Sequence, residues 1–275
     1  MVCKFMEIEV DIEIGMQHVK VPVSVNGQGP FSFTLDTGAS VTTLSKKLTE
    51  QLGISTRKGS KSEAHGVGGG IPTKYADAEI SMGSLKFDKD EVYVLDLDAI
   101  LRDAGNREGV LGYTTLKHCT MSLSYKRQRF KLGRENSPRN LNWSPFDYIK
   151  DSHLVGLPVY INGKGPYDFV LDTGAGNTVV TPEMAARIGL ESKPVHGIAR
   201  GLGGDVQLEL ASVDALSVGA AKISHSQVVV LDLSEVSPKG KLIENGIIGY
   251  DFLKNFETVI DYPNKQFSFI DERSS

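Results

Sequence analysis

At 275 residues, with 40% hydrophobic and 23% charged positions, the chain can bury the core of one large domain or two modest ones, and disorder is not the default. A formal net charge of -4 gives no broad pull toward nucleic acid or an anionic membrane, and no stretch approaches the roughly 20 apolar residues of a membrane span. Cys3 and Cys119 are too few for a disulfide framework or a metal site, so free thiols are expected.

The first ten residues, MVCKFMEIEV, lack the uninterrupted apolar region of a secretory leader. The chain as written therefore reads as cytoplasmic, or as periplasmic or secreted if a leader has been removed. MEIEVDIEI (6–14), HVKVPVSV (18–25) and FSFTL (31–35) alternate or run in β-branched and aromatic residues and predict strands. NGQG (26–29) between the last two carries the Asn-Gly signal of a tight hairpin. LDTGAS (35–40) ends that strand, and SKKLTEQLG (45–53) predicts a short amphipathic helix. GVGGG (66–70), VLDLD (94–98) and VLGYTTL (110–116) follow, the last with a helical turn expected after Gly112. YKRQRFKLGR (125–134) alternates basic with apolar residues and reads as a final strand with a solvated face.

The series then repeats. Residues 21–54 align without a gap to 157–190, including a second NGKG turn and a second motif, LDTGAG (171–176). TPEMAARIG (181–189) predicts the matching helix, with Pro182 in its first turn and Gly189 as its stop. GLGGD (201–205), VLDLS (230–234) and IIGYDFL (247–253) occupy the remaining equivalent places, at offsets of 135 to 137. The economical reading is one unit written twice: lobe one at 1–132, a joining segment at 133–152, and lobe two at 153–275. Treated as a flexible coil, 20 joining residues reach about 25 Å, enough for the second unit to fold back on the first, so a monomer is expected and a swapped dimer is the alternative. Many short strands with Gly-rich turns argue for a barrel or sandwich per lobe rather than a parallel sheet with crossover helices.

A lone Asp-[Ser/Thr]-Gly arises by chance in roughly one chain of this length in ten. Two in matching strand context are far more specific. Asp-Thr-Gly-Ala after a hydrophobic strand, a Gly-rich hairpin some thirty residues on, and a later hydrophobic-hydrophobic-Gly step resemble the aspartic proteases, and DTGAGNTVV looks most like the retropepsins. The resemblance covers nearly all of both copies. Retropepsins supply one unit per chain and dimerise, so a chain with two looks like a single-chain, retropepsin-like protease of the bacterial kind. The resemblance implies an all-β fold of two pseudo-twofold-related acid-protease barrel lobes with short helices, a peptide or protein substrate, and no cofactor or metal.

It also implies roles. Asp36 and Asp172 would form the catalytic dyad, with Thr37 and Thr173 turned inward to bond across the twofold. Gly38 and Gly174 would let backbone amides approach the carboxylates. Gly66, Val67, Gly68 and Gly69, with Gly201, Leu202, Gly203 and Gly204, would form two substrate-covering flaps. Hydrolysis without a metal needs one carboxylate to take a proton from water while a neighbouring carboxylic acid bonds the scissile carbonyl. Carboxyls about 4 Å apart repel by about 4 kcal/mol at an effective dielectric near 20, so the pair retains one proton over a wide pH range. Ala39 and Ala175 offer no hydroxyl to favour ionisation, which implies a mildly acidic optimum. A non-catalytic peptide-binding module of the same fold, and a protease that must first lose residues 1–15, are the alternatives.

Other residues receive plainer readings. Gly-x-Gly-x-x-Gly is not completed at Ile71, so 66–70 is no phosphate cradle. His65 and His196 lie out of register with the repeat and are read as surface histidines, His118 beside Cys119 lacks further ligands, and Trp143 is read as packing against a lobe.

Overall fold

In the computed structural model the structure describes residues 7–66, 69–100, 107–134, 140–201, 204–234 and 242–273, without the side chains of 59–72 and 196–207. Asn-Gly turns set the frame of each lobe. His18–Val25 and Gln28–Leu35 pair antiparallel through Asn26 and Gly27, whose φ values of 50° and 75° are those a type I′ turn demands. Val155–Ile161 and Lys164–Leu171 do the same through Asn162 and Gly163, at 51° and 77°. Period-2 alternation along His18–Val25 buries Val19, Val21, Val23 and Val25 and turns the intervening side chains outward.

Each motif strand then acquires a parallel neighbour from late in its own copy. Phe33 and Leu35 lie beside Gly109 and Leu111, and Val170 and Leu171 beside Ile247 and Ile248. This juxtaposition explains the hydrophobic-hydrophobic-Gly step. A Cβ on Gly112 would stand 2.9 Å from the Ala39 carbonyl oxygen, and one on Gly249 would stand 2.4 Å from that of Asn177. Only glycine lets the later strand pass beneath the motif loop.

The helices obey their end signals. Ser45 caps Lys46–Gln51 by accepting from the Leu48 amide at 3.0 Å, and Thr181 caps Pro182–Ile188 by accepting from Met184 at 3.2 Å. Gly189 closes the second at φ 74°. Single turns follow Gly112 (Tyr113–Leu116) and Gly249 (Tyr250–Leu253). A further short helix, Leu97–Ile100, forms where the sequence carried only a weak cue, the Asp96 carboxylate accepting from Ala99 at 3.1 Å.

Lobe one contains a ten-stranded sheet and lobe two an eight-stranded one, and a six-stranded sheet is built from both. In the shared sheet Thr120–Ser124 pairs antiparallel with Phe256–Asp261, Met121 opposite Ile260. Met121, Leu123, Phe130 and Leu132 belong to the same buried cluster as Phe256, Ile260 and Phe267, so one core runs under both lobes. Within 125–134 only Arg129–Gly133 is strand, and 125–128 form a turn with Tyr125 buried. Arg129 pairs with Asp11 at 2.8 Å and Lys131 with Glu9 at 3.6 Å, surface contacts that add little stability.

The N-terminal strand Glu7–Asp11 lies along Arg129–Gly133 at the edge of the shared sheet, with Ile8 and Ile12 buried in the core. The joining segment is woven in from Ser144 onward. Ser144 and Pro145 pair with Phe267 and Gln266, Phe146 is buried, and Asp147 and Tyr148 pair with Gly156 and Val155. A free coil is therefore not what connects the lobes over this stretch. Trp143 is half-buried. Among the described residues no helix is long and apolar enough to cross a membrane.

Candidate active site

Each Asp-Thr-Gly loop starts from a backbone anchor supplied by the parallel neighbour. The Asp36 amide donates to the Leu111 carbonyl and the Asp172 amide to the Ile248 carbonyl, both at 3.1 Å. The aspartate side chain then folds back over its own loop. Asp36 Oδ1 accepts from the Gly38 and Ala39 amides, each at 2.9 Å, and Asp172 Oδ1 accepts from the Gly174 amide at 2.8 Å.

The two loops, 136 residues apart in sequence, meet through a reciprocal exchange between threonines. The Thr37 amide donates to Thr173 Oγ1 at 3.1 Å, and the Thr173 amide donates to Thr37 Oγ1 at 3.0 Å. Each hydroxyl passes its own proton to the strand before the opposite motif: Thr37 to the Leu171 carbonyl at 3.0 Å, Thr173 to the Leu35 carbonyl at 2.9 Å. Both threonines are essentially fully buried, at 1% and 0% exposure, so water cannot replace these bonds.

This contact carries the aspartates onto each other. A Cβ on Gly38 would lie 2.7 Å from Asp172 Oδ2, and one on Gly174 would lie 2.6 Å from Asp36 Oδ2. Each motif glycine is thus the floor beneath the other lobe's carboxylate. The two carboxyl groups lie close enough to be electrostatically coupled. Both are held above the ordinary aspartate range. For Asp36 the cause is burial, opposed by the Ala39 and Gly38 amides. For Asp172 it is burial followed by the charge of Asp36, and the rise is larger. Asp36 Oδ1 accepts two loop amides where Asp172 Oδ1 accepts one, so the geometry favours the negative charge on Asp36 and the proton on Asp172.

Three further side chains at this centre carried no signal in the motif search. Arg107 is 9% exposed, and its charge acts on Asp36. His153 Nε2 lies 2.8 Å from the Gly38 carbonyl oxygen, and His18 faces the Gly174 backbone. The two histidines stand at the start of equivalent segments, HVKVP and HLVGLP, but one extra residue in the second places them at an offset of 135, just before the gapless alignment begins. Extending the repeat upstream with a single insertion would have found them.

Gly66 pairs with Gly69 at the end of the hairpin Arg57–Gly66/Gly69–Ala78, and Gly201 with Gly204 at the end of Ser192–Gly201/Gly204–Val218. Val67, Gly68, Leu202 and Gly203 lie outside the described residues, as do the side chains of His65 and His196 and all of Cys3. His118 is exposed, and Cys119 is buried, its thiol pushed up to about 11 by burial. Among the described residues no three His, Cys, Asp or Glu side chains cluster so as to hold a metal ion. A pocket of about 340 Å³ lined by Phe146, Tyr148, Pro158, Asp168 and Leu242 includes neither motif aspartate. Its volume alone assigns it no chemistry.

A search of curated proteins found no match for the chain. The aspartyl protease family model matches it twice, over residues 21–115 and 157–252, once in each copy. The matched segments hold both Asp-Thr-Gly loops and both glycine steps beneath them, and the chain belongs to the aspartyl protease family, with two retropepsin-like units in tandem.

Proposed function

We propose that the chain is an aspartic endopeptidase in which Asp36 and Asp172 share one proton and jointly activate one water molecule. The observation that carries this reading is the mutual approach of the two loops, each glycine lying under the opposite carboxylate. Asp36, which accepts two loop amides and lies near Arg107 and His153, is the base. Asp172, which accepts one loop amide, is the acid. Water attacks the peptide carbonyl carbon, its proton passing to Asp36, while Asp172 gives its proton to the carbonyl oxygen. In the second step the C–N bond breaks, Asp36 returns its proton to the leaving nitrogen, and Asp172 recovers one from the tetrahedral diol. The dyad ends as it began.

We read 1–132 and 153–275 as the two lobes and a monomer as the working unit, the shared sheet favouring pairing within one chain. An extended peptide would lie across the dyad, paired through its main chain and covered by the two glycine hairpins. The test is digestion of a denatured protein and a peptide library across pH. We expect cleavage with a mildly acidic optimum, inhibition by a statine-type compound, and loss in Asp36→Asn and in Asp172→Asn. Binding of peptides without cleavage by the wild-type chain would instead establish the non-catalytic module, and a rate maximum below about pH 3, under the ordinary aspartate value, would contradict the mildly acidic optimum.

A further inference from the structure

The histidines His18 and His153 belong to neither the dyad nor the motif, yet both end on its loops, and each crosses to the other lobe to do so. His153 opens lobe two and meets Gly38 of lobe one, whereas His18 stands in lobe one and meets Gly174 of lobe two. A carbonyl oxygen can only accept, so the imidazole nitrogen facing it carries the proton. For His153 that nitrogen is Nε2. For His18, Nδ1 is buried and has no hydrogen-bond partner.

The peptide unit that His153 engages matters more than the bond itself. The Gly38 carbonyl and the Ala39 amide are two ends of one planar group. The oxygen end takes the His153 proton at 2.8 Å, and the nitrogen end donates to Asp36 Oδ1 at 2.9 Å. A donor on the oxygen deepens the peptide dipole and strengthens the N–H that faces the carboxylate. Both alanine amides also reach the backbone carbonyl of their own aspartate at 3.3 Å, but only Ala39 donates to the carboxylate as well, so the equivalent peptide in lobe two does not feed Asp172 in the same way. The turn carrying His18 fits closely there: a Cβ on Gly176 would lie 2.6 Å from Gln17 Oε1, where lobe one has Ser40.

We propose that His153 is a positioning residue that clamps the Gly-Ala peptide of the opposite lobe's Asp-Thr-Gly loop and, acting through the Gly38-Ala39 peptide, keeps the negative charge on Asp36 rather than Asp172, with His18 standing in the reciprocal place beside the Gly174 loop. The inference rests on reading those aspartates as the dyad. His153 is faced by the Asp36 charge and by the Tyr113 ring at 5.7 Å, with the Tyr148 hydroxyl 3.4 Å behind that of Tyr113. His18 is faced by Lys20 on its own strand and by Arg107. Burial lowers both imidazoles from their ordinary value and favours their neutral form.

Glutamine and leucine separate the donor from the bulk, because the Gln amide nitrogen reaches about as far as Nε2. His153→Leu is expected to lower kcat/KM about tenfold, the size of one hydrogen bond to a charged system, mostly through kcat, and to move the acid limb of the pH profile upward. His153→Gln is expected to restore the rate to within about threefold and return the limb. His18→Leu is expected to lower the rate with a smaller displacement of the acid limb. Equal behaviour of His153→Leu and His153→Gln, or an acid limb unmoved in both, overturns the proposal. Nitrogen-15 NMR of the wild type gives a readout independent of turnover: His153 should be the neutral Nε2–H tautomer, and the Ala39 amide proton should shift upfield in His153→Leu but not in His153→Gln. An Nδ1–H tautomer at His153 rejects the inference even for an active enzyme. The expected NMR pattern in a chain that cleaves nothing leaves the clamp standing and sinks the protease reading alone.

Discussion

Replacing Thr173 by valine keeps the shape of the side chain and removes only its hydroxyl, so it isolates the polar contact between the lobes. Two bonds disappear: the one Thr173 Oγ1 accepts from the Thr37 amide at 3.1 Å and the one it donates to the Leu35 carbonyl at 2.9 Å. Thr37 is 1% exposed and Thr173 0%, so neither abandoned group can turn to water. Each buried group stripped of its partner costs about 1–3 kcal/mol, giving about 2–6 kcal/mol in total with no cavity to add. At about 2–4 °C per kcal/mol, the melting temperature should fall by roughly 10 °C. Thr173→Ser retains the hydroxyl and should lose much less. The assay is thermal unfolding of wild type, Thr173→Val and Thr173→Ser, followed by circular dichroism. Thr37→Val removes the mirror pair of bonds and should cost about as much, and because the two threonines bond each other the double variant should depart from additivity. A Thr173→Val protein melting within about 2 °C of wild type would show that the exchange adds nothing net to lobe pairing.

Gly38→Ala should fold, as judged by circular dichroism, but lose at least about 100-fold in kcat, because the new Cβ 2.7 Å from Asp172 Oδ2 forces the carboxyl out of line; a kcat within threefold of wild type would refute that reading. The pH dependence of stability should have two opposed limbs. His18 is lowered from 6.5 to about 4, so the unfolded chain binds the proton more readily; its contribution is intact above pH 6.5 and lost as pH falls to about 4, amounting to about 3 kcal/mol. The raised dyad has the opposite sign, costing stability as pH rises through its folded values. Urea unfolding between pH 4 and 8 should show the acid-side loss shrink in His18→Gln and the alkaline-side loss shrink in Asp172→Asn, and parallel curves for all three proteins would contradict both assignments. Cys119, buried with its thiol pushed up to about 11, should resist a thiol-reactive dye in folded Cys3→Ser protein and label fully in denaturant, a contrast that mass spectrometry reads directly.

Much of the site was legible before any coordinates, because its signals are local. Asn26-Gly27 and Asn162-Gly163 set their hairpins by backbone preference alone, and Ser45, Thr181 and Gly189 end their helices by bonds spanning three or four residues. The repeat supplied one long-range inference, since two copies of Asp-Thr-Gly in matched strand contexts implied a pair. The short helix Leu97–Ile100 escaped because a single turn has too few residues to show a period. Residues 125–128 read as strand because their alternation continues that of Arg129–Gly133, whereas the chain must reverse there to return beside Thr120–Ser124.

What determined itself in the sequence is whatever a residue imposes on neighbours within a few positions: turns, caps, alternation, and a glycine where two backbones cross. Only the folded chain decided that Thr120–Ser124 pairs with Phe256–Asp261, that the segment around Phe146 stitches the lobes together, and that His18, His153 and Arg107 gather at the two aspartates. Those contacts join residues far apart along the chain, and their free energy comes from burial and hydrogen bonds that exist only once both lobes are assembled. No local preference records them.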